Sequence, residues 1–212
     1  MANALCYLET SFRRFPDRCA VTDDCRSYSY AEFYRLSRRI GTGLARLTGP
    51  KQGIGVFLEK NADAVAAFFG IQWAGCFYSV LNTELPGPRL NQIAAQLGPA
   101  VIVTCRELLA QAEEIFPGQN LVCLEELART PEDDAALAAI QARAIDTDPL
   151  YVNFTSGSTG VPKGIVVSSR SVLDFIGCFT ELFGITKGDV IANQAPFDFD
   201  VSVKDIYSAM KA

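Results

Sequence analysis

The chain has 212 residues, 49% hydrophobic and 20% charged, the balance of a globular protein with enough length to bury a sizeable core. Its formal charge is -5, and residues 106–148 alone hold ten acids against three bases, which reads as a solvated acidic face and argues against nucleic acid as a partner, since that needs a basic footprint. Histidine is absent, which excludes a Ser-His-Asp triad and any His-ligated zinc site.

Helical and strand patterns alternate along the chain. Apolar residues recur at three- and four-residue spacing from Ala31 to Leu47 (Phe33, Leu36, Ile40, Leu44), which predicts an amphipathic helix. Gly53–Leu58 is a short apolar run, read as a strand. Asn61 caps a helix through Ala74, and Cys76–Leu81 returns as a strand. Pro88 starts a helix to Leu97, followed by strand Val101–Cys105, helix Glu107–Ile115 and strand Leu121–Leu124. Residues 130–148 form a surface helix and a polar lead-in to strand 150–154. A strand at 164–168, a helix from Ser171 to Phe183 capped by Ser169 or Ser171, a strand at Asp189–Gln194 and a helix at Val201–Lys211 complete the reading. This rhythm predicts an α/β fold with a mainly parallel sheet covered by helices. Phe68, Phe69, Trp73, Phe77 and Tyr78 belong to a helix and the strand after it, so they are read as core and not as a cofactor box.

The seven cysteines form no C-x-x-C pair, and Cys76, Cys105 and Cys123 sit in apolar runs where buried thiols are common, which points to a reducing, cytoplasmic compartment. Cys19 and Cys25 are near enough in sequence to pair, but nothing requires it. No run of eighteen apolar residues predicts a membrane span, and the N-terminus lacks the pattern of a signal peptide.

The richest stretch is residues 155–164, Thr-Ser-Gly-Ser-Thr-Gly-Val-Pro-Lys-Gly, with three glycines, four hydroxyls and one lysine in ten positions. Such a loop offers a polyphosphate open backbone amides, hydroxyl donors and a point charge. The spacing is not that of a P-loop: counted from Gly157, Pro162 stands at the second glycine and Gly164 at the magnesium-binding hydroxyl. Strand-like runs lie on both sides, so the loop joins two strands and no helix dipole is implied.

This decapeptide resembles the signature loop of the adenylate-forming superfamily, which includes acyl-CoA synthetases, luciferases and the adenylation domains of peptide synthetases. Three further segments are similar to the family, in its order: 29–34 (Ser-Tyr-Ala-Glu-Phe-Tyr), 68–82 (Phe-Phe-Gly-Ile-Gln-Trp-Ala-Gly-Cys-Phe-Tyr-Ser-Val-Leu-Asn) and 197–202 (Phe-Asp-Phe-Asp-Val-Ser). The run 193–207 is most similar to D-alanine–carrier-protein ligases, with nonribosomal peptide synthetase adenylation domains close behind. Ser168 and Ser169 stand where many family members have a histidine.

The resemblance implies ATP-dependent activation of an amino acid, D-alanine by subfamily likeness, as an aminoacyl-adenylate for transfer to the thiol of a carrier protein, with ATP and Mg2+ as cofactors. It implies phosphate-loop roles for Thr155, Ser156, Gly157, Ser158, Thr159, Gly160 and Lys163, although Lys163 also fits a plain surface lysine. It makes Asp200 the counter-ion of the substrate ammonium and Phe199 a wall of its pocket, while Asp200 also fits an N-cap. Residues 1–212 would then be the N-terminal portion of the large domain, with the catalytic lysine beyond Ala212. Two other classes stand beside this reading: a nucleotide- or carrier-binding module without turnover, and an α/β scaffold that binds neither.

Overall fold

The computed structural model describes residues 3–156 and 160–212, with the Ser156 side chain outside the described set. Helix α1 (Leu5–Arg14) precedes a small antiparallel hairpin, β1 (Cys19–Thr22) and β2 (Ser27–Ser29). The main body then runs α2 (Tyr30–Leu47), β3 (Gly53–Val56), α3 (Ala62–Trp73), β4 (Phe77–Val80), α4 (Gly87–Leu97), β5 (Val101–Thr104), α5 (Leu109–Ile115) and β6 (Leu121–Cys123). It continues through α6 (Leu124–Leu127), α7 (Asp134–Gln141), β7 (Pro149–Ser156), β8 (Pro162–Ser168), α8 (Ser169–Leu182) and α9 (Asp200–Lys211). The sheet order is β6-β5-β3-β4-β7-β8, parallel throughout except for the β7–β8 hairpin at one edge. This is the α/β architecture that the alternating pattern predicts.

Side chains alternate across the sheet, so Val101 and Val103 enter one core and Ile102 the other. The first core lies under α2, α3 and α9; the second lies under α4 and α5, around Phe57, Leu81, Leu90 and Phe116. The helices after β3 and β4 thus cover opposite faces, and a crevice opens at the carboxyl ends of these neighbouring strands. That is where open α/β sheets hold ligands.

Local signals explain most boundaries. Ser29 and Glu32 form a capping box at α2: the Ser29 hydroxyl accepts from the Glu32 amide at 3.2 Å, and the Glu32 carboxylate accepts from the Ser29 amide at 2.8 Å. Asn61 caps α3 by accepting from the Ala64 amide at 2.8 Å. Gly98 ends α4 at φ 56, the left-handed region that glycine adopts without strain. Phe68, Phe69, Trp73 and Tyr78 are core, and Phe77 is half-buried. All seven cysteines are free, Cys19 and Cys25 included. Among the described residues no helix is long and apolar enough to cross a membrane.

Several elements differ from expectation. Residues 189–194 are irregular and not a strand. Asp189 closes a turn instead, its carboxylate accepting from the Thr186 amide at 2.7 Å, and Val190 is 94% exposed with no strand beside it among the described residues. The hydroxyl that caps α8 is Ser168, which accepts from the Ser171 amide at 3.3 Å, one residue before Ser169 and three before Ser171, the two expected caps. Helix α1 and the β1–β2 hairpin were not anticipated. The acidic stretch is not simply solvated: Arg38 meets Glu132 and Asp134, Lys51 meets Asp148, and Arg170 grips Asp146 with two bonds of 2.8 Å.

Helices α2 and α3 cross so closely that neither contact glycine has room for a side chain. A Cβ on Gly70 would lie 2.7 Å from Ile40 Cβ, and one on Gly41 would lie 2.9 Å from the Gly70 carbonyl. Gly70→Ala is therefore expected to destabilise the fold by about 1–3 kcal/mol through overpacking, read by chemical denaturation. Asp23 supplies a pH signature. Its carboxylate accepts from the Ala62 amide at 2.7 Å and from the Cys25 and Arg26 amides, which lowers its pKa. A lowered carboxylate stabilises the fold above its unfolded value of about 3.9, and that contribution is lost as pH falls through the folded value. Asp23→Ala should lower the melting temperature at pH 7, with the difference from the parent chain shrinking as the pH is taken below about 3.9.

Candidate functional site

The hairpin ladder reaches further than expected. Thr155 pairs with Lys163 and Ser156 with Pro162, so both arms belong to strands and the connection is shorter than the ten-residue motif. Pro162 is tolerated because β8 is an edge strand, where a missing N–H breaks no inner ladder. The Thr155 hydroxyl donates to the Lys163 carbonyl at 3.4 Å, and both residues are exposed. Gly160 adopts φ 80 and an added Cβ there would meet nothing within 4 Å among the described residues, so glycine is demanded by backbone conformation and not by crowding from them. Gly157, Ser158, Thr159 and the side chain of Ser156 lie outside the described residues.

Asp200 is the first residue of α9 and Phe199 precedes it as N-cap, 58% exposed. No side chain caps this helix, so the expected N-cap role of Asp200 does not occur. Its charge is felt at Tyr151 on β7: the Tyr151 phenol is pushed up to about 12, first by burial and then by the Asp200 charge. Tyr151 and Thr155 are four residues apart on one strand, hence on the same sheet face and about 13 Å apart along it. The structure thus brings Thr155 and Lys163 together directly, and puts Asp200 on the same face lower down the strand.

α9 is fixed by its buried side. Tyr207 is fully buried and accepts from Gln72 Nε2 at 2.7 Å, and burial pushes its phenol well up. Tyr78 is likewise raised by burial and faces Tyr207. The Ser11 hydroxyl donates to the Met210 carbonyl at 2.8 Å, and Tyr30 donates to the Ala209 carbonyl at 3.0 Å.

Three residues near the site carried no local motif that would reveal them. Asn82, at the end of β4, donates to both oxygens of Asp198 at 3.3 Å across a crevice of about 140 Å³ that Glu59, Lys60 and Thr83 also line. Lys60 Nζ donates to the Asn193 carbonyl at 2.7 Å and lies over the Phe197 ring. These bonds tie the 193–200 segment to the strand ends. Arg89, in the first turn of α4, donates to the carbonyls of Gly160 at 3.3 Å and Thr155 at 3.5 Å. The signal available for Asn82 was its place, a polar residue closing a buried parallel strand. For Arg89 there was none, because its partners are 66 and 71 positions away.

Comparison with known proteins bears on this arrangement. The family model described as AMP-binding enzyme matches residues 8–212. The chain is 34% identical over 217 residues to phosphinothricin tripeptide synthetase PhsC of Streptomyces viridochromogenes, covering 97% of the chain and 19% of that relative. It is 27% identical over 209 residues to the D-alanine--D-alanyl carrier protein ligase of Lacticaseibacillus casei, covering 98% of the chain and 40% of that relative. The chain therefore spans well under half the length of these relatives. Among solved structures, the AMPPNP-bound form of the nonribosomal peptide synthetase FmoA3 (S1046A) superposes with a TM-score of 0.87 at 26% identity, covering 99% of the chain and 22% of that structure.

The effect of the Asp200 charge on Tyr151 can be checked by NMR titration of labelled tyrosine. Asp200→Asn should bring the Tyr151 value down from about 12, yet leave it above the ordinary value of about 10 because burial is the larger cause.

Proposed function

Because the chain belongs to the AMP-binding enzyme family, we propose that residues 1–212 form part of an adenylation domain that activates an amino acid with ATP. The observation that supports this most is the exposed hairpin end, where Thr155 and Lys163 pair across the ladder and the left-handed Gly160 follows close by. An anionic tail fits such a place: hydroxyl and ammonium donors are solvent-facing, and no Cβ obstructs the approach.

In the reaction proposed, a carboxylate oxygen bonds to the α-phosphorus of ATP, the bond to the β-phosphate oxygen breaks, and pyrophosphate leaves. The residues here would serve by position and charge. Lys163 and the Thr155 hydroxyl would hold the departing phosphates, together with Ser156, Gly157, Ser158 and Thr159. Asp200 would bind the ammonium of the amino acid, and Phe199 would wall its pocket. The donor set suits a magnesium ion that arrives on the nucleotide phosphates: among the described residues no three carboxylate or thiol side chains gather to hold a metal. A carrier-protein thiol is the acceptor we propose, and a cytoplasmic setting suits the seven free cysteines.

D-alanine is the amino acid we favour, on the likeness of the 193–207 run and the 27% identity to the Lacticaseibacillus casei ligase. A second reading, an adenylation domain of a peptide synthetase with another amino acid, has its own support in the 34% identity to PhsC. ATP–pyrophosphate exchange by the complete gene product across a panel of amino acids separates the two. Exchange peaking with D-alanine supports the first, a peak elsewhere supports the second, and no exchange with any amino acid leaves only a binding module. Lys163→Ala should weaken ATP affinity by about 1–3 kcal/mol, measured by calorimetry. Asp200→Asn should raise the KM for the amino acid at least tenfold while the KM for ATP stays within about twofold, as expected for loss of one charge-assisted bond to the ammonium.

A further inference from the structure

Arg89 stands apart from the other cations of the chain. It sits in the first turn of α4, just after Pro86 and Pro88, and reaches across to the hairpin on β7 and β8. Its Nη1 donates to the Gly160 carbonyl at 3.3 Å and its Nη2 to the Thr155 carbonyl at 3.5 Å. Thr155 belongs to the β7 stem, while Gly160 lies in the turn, two residues before β8 begins. One planar fork therefore ties the end of β7 to the turn, with two donors in a fixed relative geometry that the rotatable donors of an ammonium lack.

Two physical consequences follow. A trans peptide sets its carbonyl and its N–H on opposite sides, so holding the Gly160 carbonyl toward Arg89 turns the Val161 amide the other way. Gly160 is also the one described glycine of the turn, held at φ 80 with no described residue within 4 Å of where a Cβ would be, and such a backbone keeps a single geometry only if something outside it does the holding. The charge balance agrees. Among the described residues neither Arg89 nor Lys163 forms an ion pair, while Arg26, Arg38, Lys51, Arg170 and Lys204 do. Thr155 pairs with Lys163 across the ladder and its carbonyl accepts from Arg89, so these two cations border the same stem residue.

We propose that Arg89 is a positioning residue for nucleotide phosphates, its guanidinium bridging the Thr155 and Gly160 carbonyls so that Gly160 is held in a set place relative to the β7 stem for the β- and γ-phosphates. This rests on the reading of the hairpin as a phosphate site. It assigns a function to a side chain outside the glycine-rich motif, on a helix that covers the opposite core.

The test uses the complete gene product and three probes, MgATP, inorganic pyrophosphate and AMP, with affinities measured by calorimetry. AMP lacks the outer phosphates and serves as the internal control. Arg89→Ala should weaken ATP and pyrophosphate at least tenfold and leave AMP within twofold. Arg89→Lys keeps the charge and loses the fork, and should recover only part of the loss. Equal weakening of ATP and AMP, with a fall in melting temperature, would show Arg89 to be a folding residue only and would overturn the proposal. Full ATP affinity in Arg89→Lys would also overturn it, since charge without bridging would then suffice. Lys163→Ala separates the two levels: if it weakens ATP relative to AMP and Arg89→Ala does not, the positioning role fails and the phosphate site stands. If neither variant changes the ratio of ATP to AMP affinity, both fail.

Discussion

Helix α3 sets the terms for everything around it. Eleven of its twelve residues are buried, so no face is left for solvent and each side must find a partner. One side takes α2 at glycine distance, through Gly41 and Gly70, with the Trp73 indole donating to the Ser37 hydroxyl at 3.2 Å. Another lies on the sheet, where Phe68 stacks on Tyr78 at 4.3 Å between ring centres. A third takes α9, through Phe69 against Tyr207 and Gln72 bonded to the Tyr207 hydroxyl. The one position that is not fully buried, Asp63, meets Arg26 at 3.1 Å and accepts from the Tyr28 hydroxyl, which ties the small hairpin to the helix start.

That packing has a functional result. Because α9 is locked by its buried side, its first residue is delivered to a fixed place, and the Asp200 charge is felt at Tyr151 on β7. The aromatic series Phe68, Tyr78 and Tyr151 carries the same ordering from α3 through β4 to β7. Burial raises the Tyr78 and Tyr151 phenols, so both are neutral at ordinary pH and Asp200 has no competing charge from them.

The parts of the fold legible in advance are those where one local rule decides. The apolar stripe of α2, the Asn61 cap and the β-branched runs of β3 and β5 each act within a few residues. The misses are those where distant partners decide. Residues 189–194 look like a strand by composition, but a strand exists only with a ladder, and the Thr186–Asp189 turn takes the backbone elsewhere. Helix α1 buries only Leu5, Leu8 and Ser11 and has no side-chain cap, so its pattern is too thin to notice. At the site, the glycine-rich motif, Asp200 and Phe199 could be named from spacing and likeness. Arg89 and Asn82 could not, since their meaning lies in contacts across 66 to 116 positions.

The position of the hairpin also decides what kind of anion site this can be. In a P-loop the turn runs straight into a helix, whose first amides and dipole supply much of the attraction. Here β8 follows the turn, and α8 begins only at Ser169, six residues and about 20 Å beyond Lys163. A macrodipole acts within about one turn of its end, so it contributes nothing at that range. Attraction must come from side-chain cations, hydroxyls and the few amides that the turn can aim. With fewer fixed dipoles, the geometry of the stems matters more, because a point charge on a flexible lysine attracts an anion without orienting it. In the role proposed for Arg89, a guanidinium on two main-chain carbonyls would supply the missing rigidity from the other side of the sheet, and would leave Lys163 free to follow the phosphates.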